Sequence, residues 1–249
     1  MENFGAQRWP QLNLKINGNF PGNARDFSHR KRFENQRYRA IINSPKWYLA
    51  IVVFFLTGNF LWAQEVVREY YQSGELKGAG RAVNGRKEGT WIFYYRSGKT
   101  NAMENYREGK LQGEATYYYP TEIMQGREMW SEGLMQDSAW YFHPNGKLKS
   151  KGIFEHGQYA GQWKYFHENE RLERIIFYQN GLPDGDAFIY NENGYLIQEG
   201  SYHQGLEAGE WKFYAEDGKL KFYGFYQGGK PSGIWYEMKN GKPSVYKKY

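Results

Sequence analysis

His143 and His167 stand 24 residues apart, and imidazole pairs of this kind are where a divalent metal would be sought first. Two histidines without a third ligand make an incomplete site, and the remaining three, His29, His156 and His203, supply none. Both of the pair read as turn or strand-end residues. Ser97-Gly98-Lys99-Thr100 ends like a phosphate-binding loop, but the glycine required five positions before Gly98 is Phe93. Asp184-Gly185-Asp186 offers two carboxylates without the further ligands and closing Glu of a calcium loop. The chain has no Cys, so disulfides, thiolate metal sites and thiol nucleophiles are excluded. Neither Gly-x-Ser-x-Gly nor Gly-x-Gly-x-x-Gly occurs. The acids read as scattered through turns and strand ends, with no pair isolated in apolar surroundings for acid–base work. The expectation is a protein that is not an enzyme and holds no metal or cofactor.

The formal charge is +6, from 33 basic and 27 acidic residues, and its position matters more than its size. Residues 1–63 hold nine basic and three acidic side chains, so they carry all of it. Beyond Ala63 stand 24 of each sign. A basic surface for nucleic acid is therefore not expected after the leader.

That leader has the layout of a secretory signal. Residues 1–46 form a basic extension without helical or strand periodicity. Residues 47–63 begin with the apolar run Trp47–Leu56, pass the helix-weakening Gly58-Asn59, and place Leu61 and Ala63 where a signal peptidase prefers small or aliphatic residues. Cleavage after Ala63 would leave Gln64 first and send the rest out of the cytoplasm, into the periplasm or beyond. An uncleaved anchor in the inner membrane, with the remainder outside the cytoplasm, is the alternative.

From residue 64 to 249 the elements that must position any chemistry repeat with a period of 24. Gly85, Gly109, Gly133, Gly157, Gly181, Gly205 and Gly229 keep the step without exception. Tyr106, Trp130, Phe154, Tyr178, Tyr202 and Tyr226 form an aromatic column in the same phase, with Ala82 in its first place. A second glycine column, from Gly89 to Gly233, is broken once by Asp137. After it come short aromatic segments such as Trp91–Tyr95 and Trp211–Tyr214, which read as strands, each followed by a turn such as Ser97-Gly98 or Asp217-Gly218. Two copies carry Glu122 and Glu170 at the turn glycine, which predicts longer or looser tips there. Each unit is two strands and two turns. Seven units fill residues 65–232 and a truncated eighth follows, predicting an all-β, elongated antiparallel array of 14–16 strands held by nearest-neighbour contacts.

The pattern Gly-x-Trp-x-x-Tyr, turn Gly, Tyr-x-x-Gly resembles the MORN repeat, in the bacterial variant of proteins labelled as YwqK-type antitoxins. Gly89, Trp91, Tyr94, Gly98, Tyr106 and Gly109 carry it, and again Gly209, Trp211, Tyr214, Gly218, Leu220, Tyr226 and Gly229. Ala115, Ala139 and Ala187 depart from it at the Trp position. The resemblance implies a β-hairpin array used for protein or membrane contacts, with no catalytic residues.

The functional expectation is an exported scaffold binding another protein in the cell envelope. The alternative is a glycan- or membrane-binding module using exposed rings, chiefly Trp91, Trp163, Trp211 and Trp235, a column whose other reading is packing over neighbouring rungs. An antitoxin-like role, after the label of related repeats, is a second alternative. The sequence does not specify an oligomeric state.

Overall fold

The computed structural model describes residues 65–249. The basic extension, the apolar run and the Ala63/Gln64 cleavage position lie outside the described residues.

Aromatic and β-branched runs alternate with turn residues throughout, and the chain forms sixteen strands and, among the described residues, no helix. In order they are β1 (Glu65–Tyr70), β2 (Leu76–Val83), β3 (Arg86–Tyr94), β4 (Thr100–Arg107), β5 (Lys110–Tyr118), β6 (Met124–Ser131), β7 (Leu134–Phe142) and β8 (Leu148–Glu155). They continue as β9 (Gln158–Phe166), β10 (Leu172–Gln179), β11 (Leu182–Tyr190), β12 (Leu196–His203), β13 (Leu206–Tyr214), β14 (Leu220–Gln227), β15 (Lys230–Lys239) and β16 (Lys242–Lys248). All sixteen lie in one sheet in sequence order, each antiparallel to its neighbours. The all-β hairpin array expected from the period is the observed architecture.

The first glycine column marks two-residue hairpin turns. Its members hold φ between 73° and 84°, and the residue before each is also at positive φ, as in Asn84 (50°) before Gly85 (73°). Two successive positive φ values define the type I′ turn, whose twist matches that of the strands it joins. Glu108, Glu132, His156 and Gln204 hold the less natural first position. Each donates its backbone N–H to a side chain 20 residues earlier, Glu88, Gln112, Gln136 and Asp184 respectively, at 2.8–3.2 Å.

At the other end of the hairpins, Gly98 (φ 82°) donates its N–H to the Tyr95 carbonyl at 2.9 Å, and the Tyr95 N–H reaches Lys99 O at 2.8 Å. Glu122 and Glu170 were expected to loosen this turn, and they do not. They adopt φ of 69° and 70° and make the same bond, to Tyr119 and His167. The hydrogen-bond frame of the tip fixes the backbone there whatever the side chain. Lys99 and Lys147 from the preceding turn lie 3.6 and 3.4 Å from the two carboxylates, exposed pairs that add little. Because left-handed φ costs a side-chain-bearing residue more than glycine, Glu122→Gly and Glu170→Gly are each expected to stabilise by about 0.5–1 kcal/mol. A raised urea midpoint at unchanged slope is the check.

The second glycine column marks a β-bulge. Register shifts once per unit beside it, between Gly80 and Arg81 and again between Glu104 and Tyr106. Where the column breaks, Asp137 takes φ 71° itself, and Asp is among the few residues that visit this region.

Alternation along the strands puts Trp91 and Phe93 on one face, opposite Gly80, Gly78 and Ala102 of the neighbouring strands. This ring face is the core. Trp91, Phe93 and Ala102 form one buried cluster with Val67, Tyr106 and Tyr117 against it. Ala139, Phe154 and Trp163 form another, ringed by Tyr141, Tyr159, Tyr165 and Tyr178.

Candidate functional site

Of the two readings of the Trp column, exposed binding rings or packing over neighbouring rungs, burial supports the packing and rules out the exposed rings. Trp91, Trp163, Trp211 and Trp235 are 1%, 1%, 2% and 3% exposed. Each lies flat over a glycine of the preceding strand, Gly80, Gly152, Gly200 and Gly224, where an added Cβ would sit 2.2–2.4 Å from the indole. Each indole Nε1–H donates to the carbonyl of the residue after that glycine, Arg81, Ile153, Ser201 or Phe225, at 2.7–3.2 Å. These carbonyls sit at the bulge, so the ring closes both the gap and the hydrogen bond that the irregularity creates. The aromatic column beside it is packed edge-on. Phe154 and Trp163 stand 5.1 Å apart, Tyr202 and Trp211 5.2 Å, and Tyr226 and Trp235 5.2 Å. Face, edge and polar handle of every Trp in the column are taken.

The same row explains the copies that lack Trp. Ala115 stands opposite Glu104, Ala139 opposite Glu128, and Ala187 opposite Ile176. A large side chain faces a small one at every place, with the two roles exchanged.

In two of those places the large residue is an acid, which overturns the reading that no carboxylates share apolar surroundings. Glu128 is 8% exposed on β6. Tyr141 Oη donates to its Oε1 at 2.7 Å and Trp130 Nε1 to its Oε2 at 3.1 Å. Tyr106 donates to Glu104, and Tyr117 lies between the two carboxylates. Burial pushes Glu128 above the usual carboxylate range, its Tyr and Trp donors pull it back, and Glu104 adds to the rise. Burial, with the adjacent charge of Glu128 second, also raises Tyr117 and Tyr141, so these phenols stay protonated donors. The cluster is closed, and its chemistry is that of a satisfied buried acid.

The other singled-out residues serve the repeat. Tyr71, Tyr95, Tyr119, His143 and His167 occupy one column, and each reaches the carbonyl 23 residues ahead at 2.6–3.0 Å. A carbonyl only accepts, so Nε2 of both histidines carries the proton and is committed. His143 and His167 are brought to one open depression of about 480 Å³ with Phe166, Glu168, Asn169, Glu173 and Glu192. Among the described residues no three His, Cys, Asp or Glu side chains are grouped to hold a metal. Gly98 is bound into its turn, Asp184 accepts from the Gln204 N–H, and Asp186 accepts from Ser201 Oγ.

Four segments match the MORN repeat variant. They are residues 87–108, 141–156, 160–180 and 208–227, and three of them contain a Trp of the column, Trp91, Trp163 or Trp211. No curated protein matches the chain. Among solved structures, the complex TcdB2-TccC3-Cdc42 is 13% identical over 69% of this chain and 13% of that one, at a TM-score of 0.17. TcdB2-TccC3-TEV is 14% identical over 70% and 12%, at 0.20. A protein of unknown function from Bacteroides fragilis is 8% identical over 74% and 91%, at 0.11. The chain thus spans about one eighth of the length of the first of these structures. Superpositions this weak carry no argument about function.

With the ring face of the repeats filled by their own side chains, the opposite face is what the sheet presents. Arg127 lies 4.4 Å over the Trp140 ring there, and Tyr223 stacks on Tyr236 at 5.0 Å. Glu199 accepts from Tyr214 Oη at 2.6 Å and from Lys212 at 3.2 Å, which holds its carboxyl below the usual range. Met103, Ile153, Phe225 and Ile234 remain exposed among these polar groups. Sequence reasoning overlooked this face because its residues follow no single type along the period.

Proposed function

We propose that the chain is an exported, non-enzymatic scaffold that binds another protein along the face opposite its ring core. MORN repeats generally mediate protein or membrane contacts. The observation that carries the reading is the division of labour between the faces. The four Trp rings are saturated by their own sheet, whereas Met103, Ile153, Phe225 and Ile234 stand in solvent on a broad surface of mixed polarity. Such a surface suits a protein partner better than a stacked sugar, since the Trp rings of the column are buried. The excess of acids over residues 65–218, 23 against 17 basic side chains, argues against an anionic membrane as the main partner of that face. Export rests on the basic stretch, apolar run and Ala63 of the leader.

The test pairs two variants in capture from the envelope fraction, with the captured protein confirmed by reconstitution from pure components. The combined variant Met103→Ser, Ile153→Ser, Phe225→Ser is expected to lose at least tenfold in affinity for that partner, while Trp163→Phe keeps it. Equal binding by both overturns the assignment to this face. Finding the natural protein at full length in the soluble cytoplasm overturns export, and Gln64 as the first residue supports it.

A further inference from the structure

The balance of 24 acids and 24 bases beyond Ala63 conceals a segregation. Residues 65–218 hold 17 basic and 23 acidic side chains. Residues 219–249 hold seven lysines and a single acid, Glu237, so the last three strands carry a charge of opposite sign to the body of the sheet. Glu237 is itself paired with Lys239 at 3.2 Å. Among the described residues no carboxylate lies within ion-pair distance of Lys242, Lys247 or Lys248.

Those three lysines sit on β16, which among the described residues is an edge strand paired with β15 alone. Beside them Val245 and Tyr246 of the strand, and Tyr249 just after it, are exposed. Lys239 and Lys242 close the two-residue Asn240-Gly241 turn, whose residues have φ of 50° and 74°. By the alternation of an antiparallel ladder, Pro243 and Val245 then turn their backbone groups away from β15. Pro243 has no N–H to offer. The Val245 N–H and C=O are not used by β15 and can pair with an incoming strand. The opposite edge differs: β1 carries Glu65, Arg68 and Glu69, and Glu69 is held by Lys87 at 3.2 Å.

Lysine and proline on an edge also discourage unwanted pairing of like edges. The same charges make the edge selective, because they repel a basic or identical strand and attract an acidic one. We propose that β16 takes up an extended, acidic segment of a partner protein as a seventeenth strand. Main-chain hydrogen bonds at Val245 would supply the pairing, and carboxylates on the incoming strand would meet Lys242, Lys247 and Lys248. This inference rests on the scaffold reading and names the chemistry of a partner at a surface separate from the opposite face.

The test uses the full chain and a fluorescein-labelled eight-residue peptide alternating Glu with Val and Thr, read by anisotropy. Its counterpart with Lys for Glu, and vesicles containing phosphatidylglycerol, are the comparators. The acidic peptide is expected to bind at least tenfold tighter than the basic one, and K242E/K247E/K248E to lose at least tenfold of that affinity. Val245→Pro leaves the charge intact and removes the outward donor, and it is expected to lose a comparable factor. Should the charge reversal lower the thermal midpoint, K242Q/K247Q/K248Q replaces it, with a loss of at least threefold expected. Undiminished binding by Val245→Pro, equal binding of both peptides, or binding of vesicles without the acidic peptide would each overturn the proposal. If the opposite-face variant still loses its partner in that event, the edge inference alone has failed.

Discussion

Trp163→Ala is expected to lower stability by about 3–5 kcal/mol and Gly152→Ile by about 1–3 kcal/mol, yet the two together should cost well below their sum. The first change removes a ring that is 1% exposed, touches Phe154 and Tyr159 at 5.1 and 4.5 Å, and donates to Ile153 O at 3.0 Å. The second drives a side chain into that ring, since a Cβ on Gly152 would lie 2.3 Å from it. Combined, they recreate the arrangement the chain already uses where Ile176 faces Ala187. The double-mutant cycle, measured by urea unfolding, should give a coupling of about 1–3 kcal/mol in favour of the pair. Strict additivity would mean that the alternation of large and small along the row has no energetic content.

The second large effect concerns Glu128. Its proton is held more tightly in the folded chain than in the unfolded one, chiefly because burial disfavours the charge. A group shifted upward contributes stability that is fully present below its unfolded pKa and is lost as pH rises through its folded pKa. As pH rises above the ordinary carboxylate range the wild type should therefore lose stability at this site, and Glu128→Gln should remove that slope. Each tenfold difference in proton affinity between the two states is worth about 1.4 kcal/mol. Glu128→Ala should behave differently, costing about 1–3 kcal/mol at every pH because Tyr141 and Trp130 lose their acceptor. Thermal midpoints measured as a function of pH separate the outcomes. Parallel pH profiles for wild type and Glu128→Gln would remove Glu128 as the source.

What the sequence made legible was whatever the backbone dictates. A type I′ turn needs two left-handed residues, so the glycine column from Gly85 to Gly229 states the period, the strand count and the pairing at once. Glu122 and Glu170 misled because residue preference is weaker than the hydrogen-bond frame of a tip repeated on both sides. The Trp and Ala copies were visible, but the cause of their alternation was not. It lies eleven residues earlier on another strand, at Gly80, Glu104, Glu128, Gly152, Ile176, Gly200 and Gly224, a column with no common chemical type. Such a column reads as noise until the register shows that volume is what it conserves across the pair. The buried acids were hidden for the same reason, as two of its members. Charge was misread by being summed over the whole array, because the lysines of β14–β16 cancel acids that lie strands away.

The row of matched volumes also bears on heredity. A tandem array changes length by unequal crossing-over, in steps of one period. Loss of residues 201–224 would leave Gly200 facing Trp235, a seam as good as the one it replaces. Loss of residues 177–200 would bring Ile176 against Trp211, and loss of 153–176 would leave Gly152 facing Ala187 across a void. All three deletions preserve the period, the turns and the hydrogen-bond columns. Only the first preserves the fit, so the sizes in this row decide which recombinants survive.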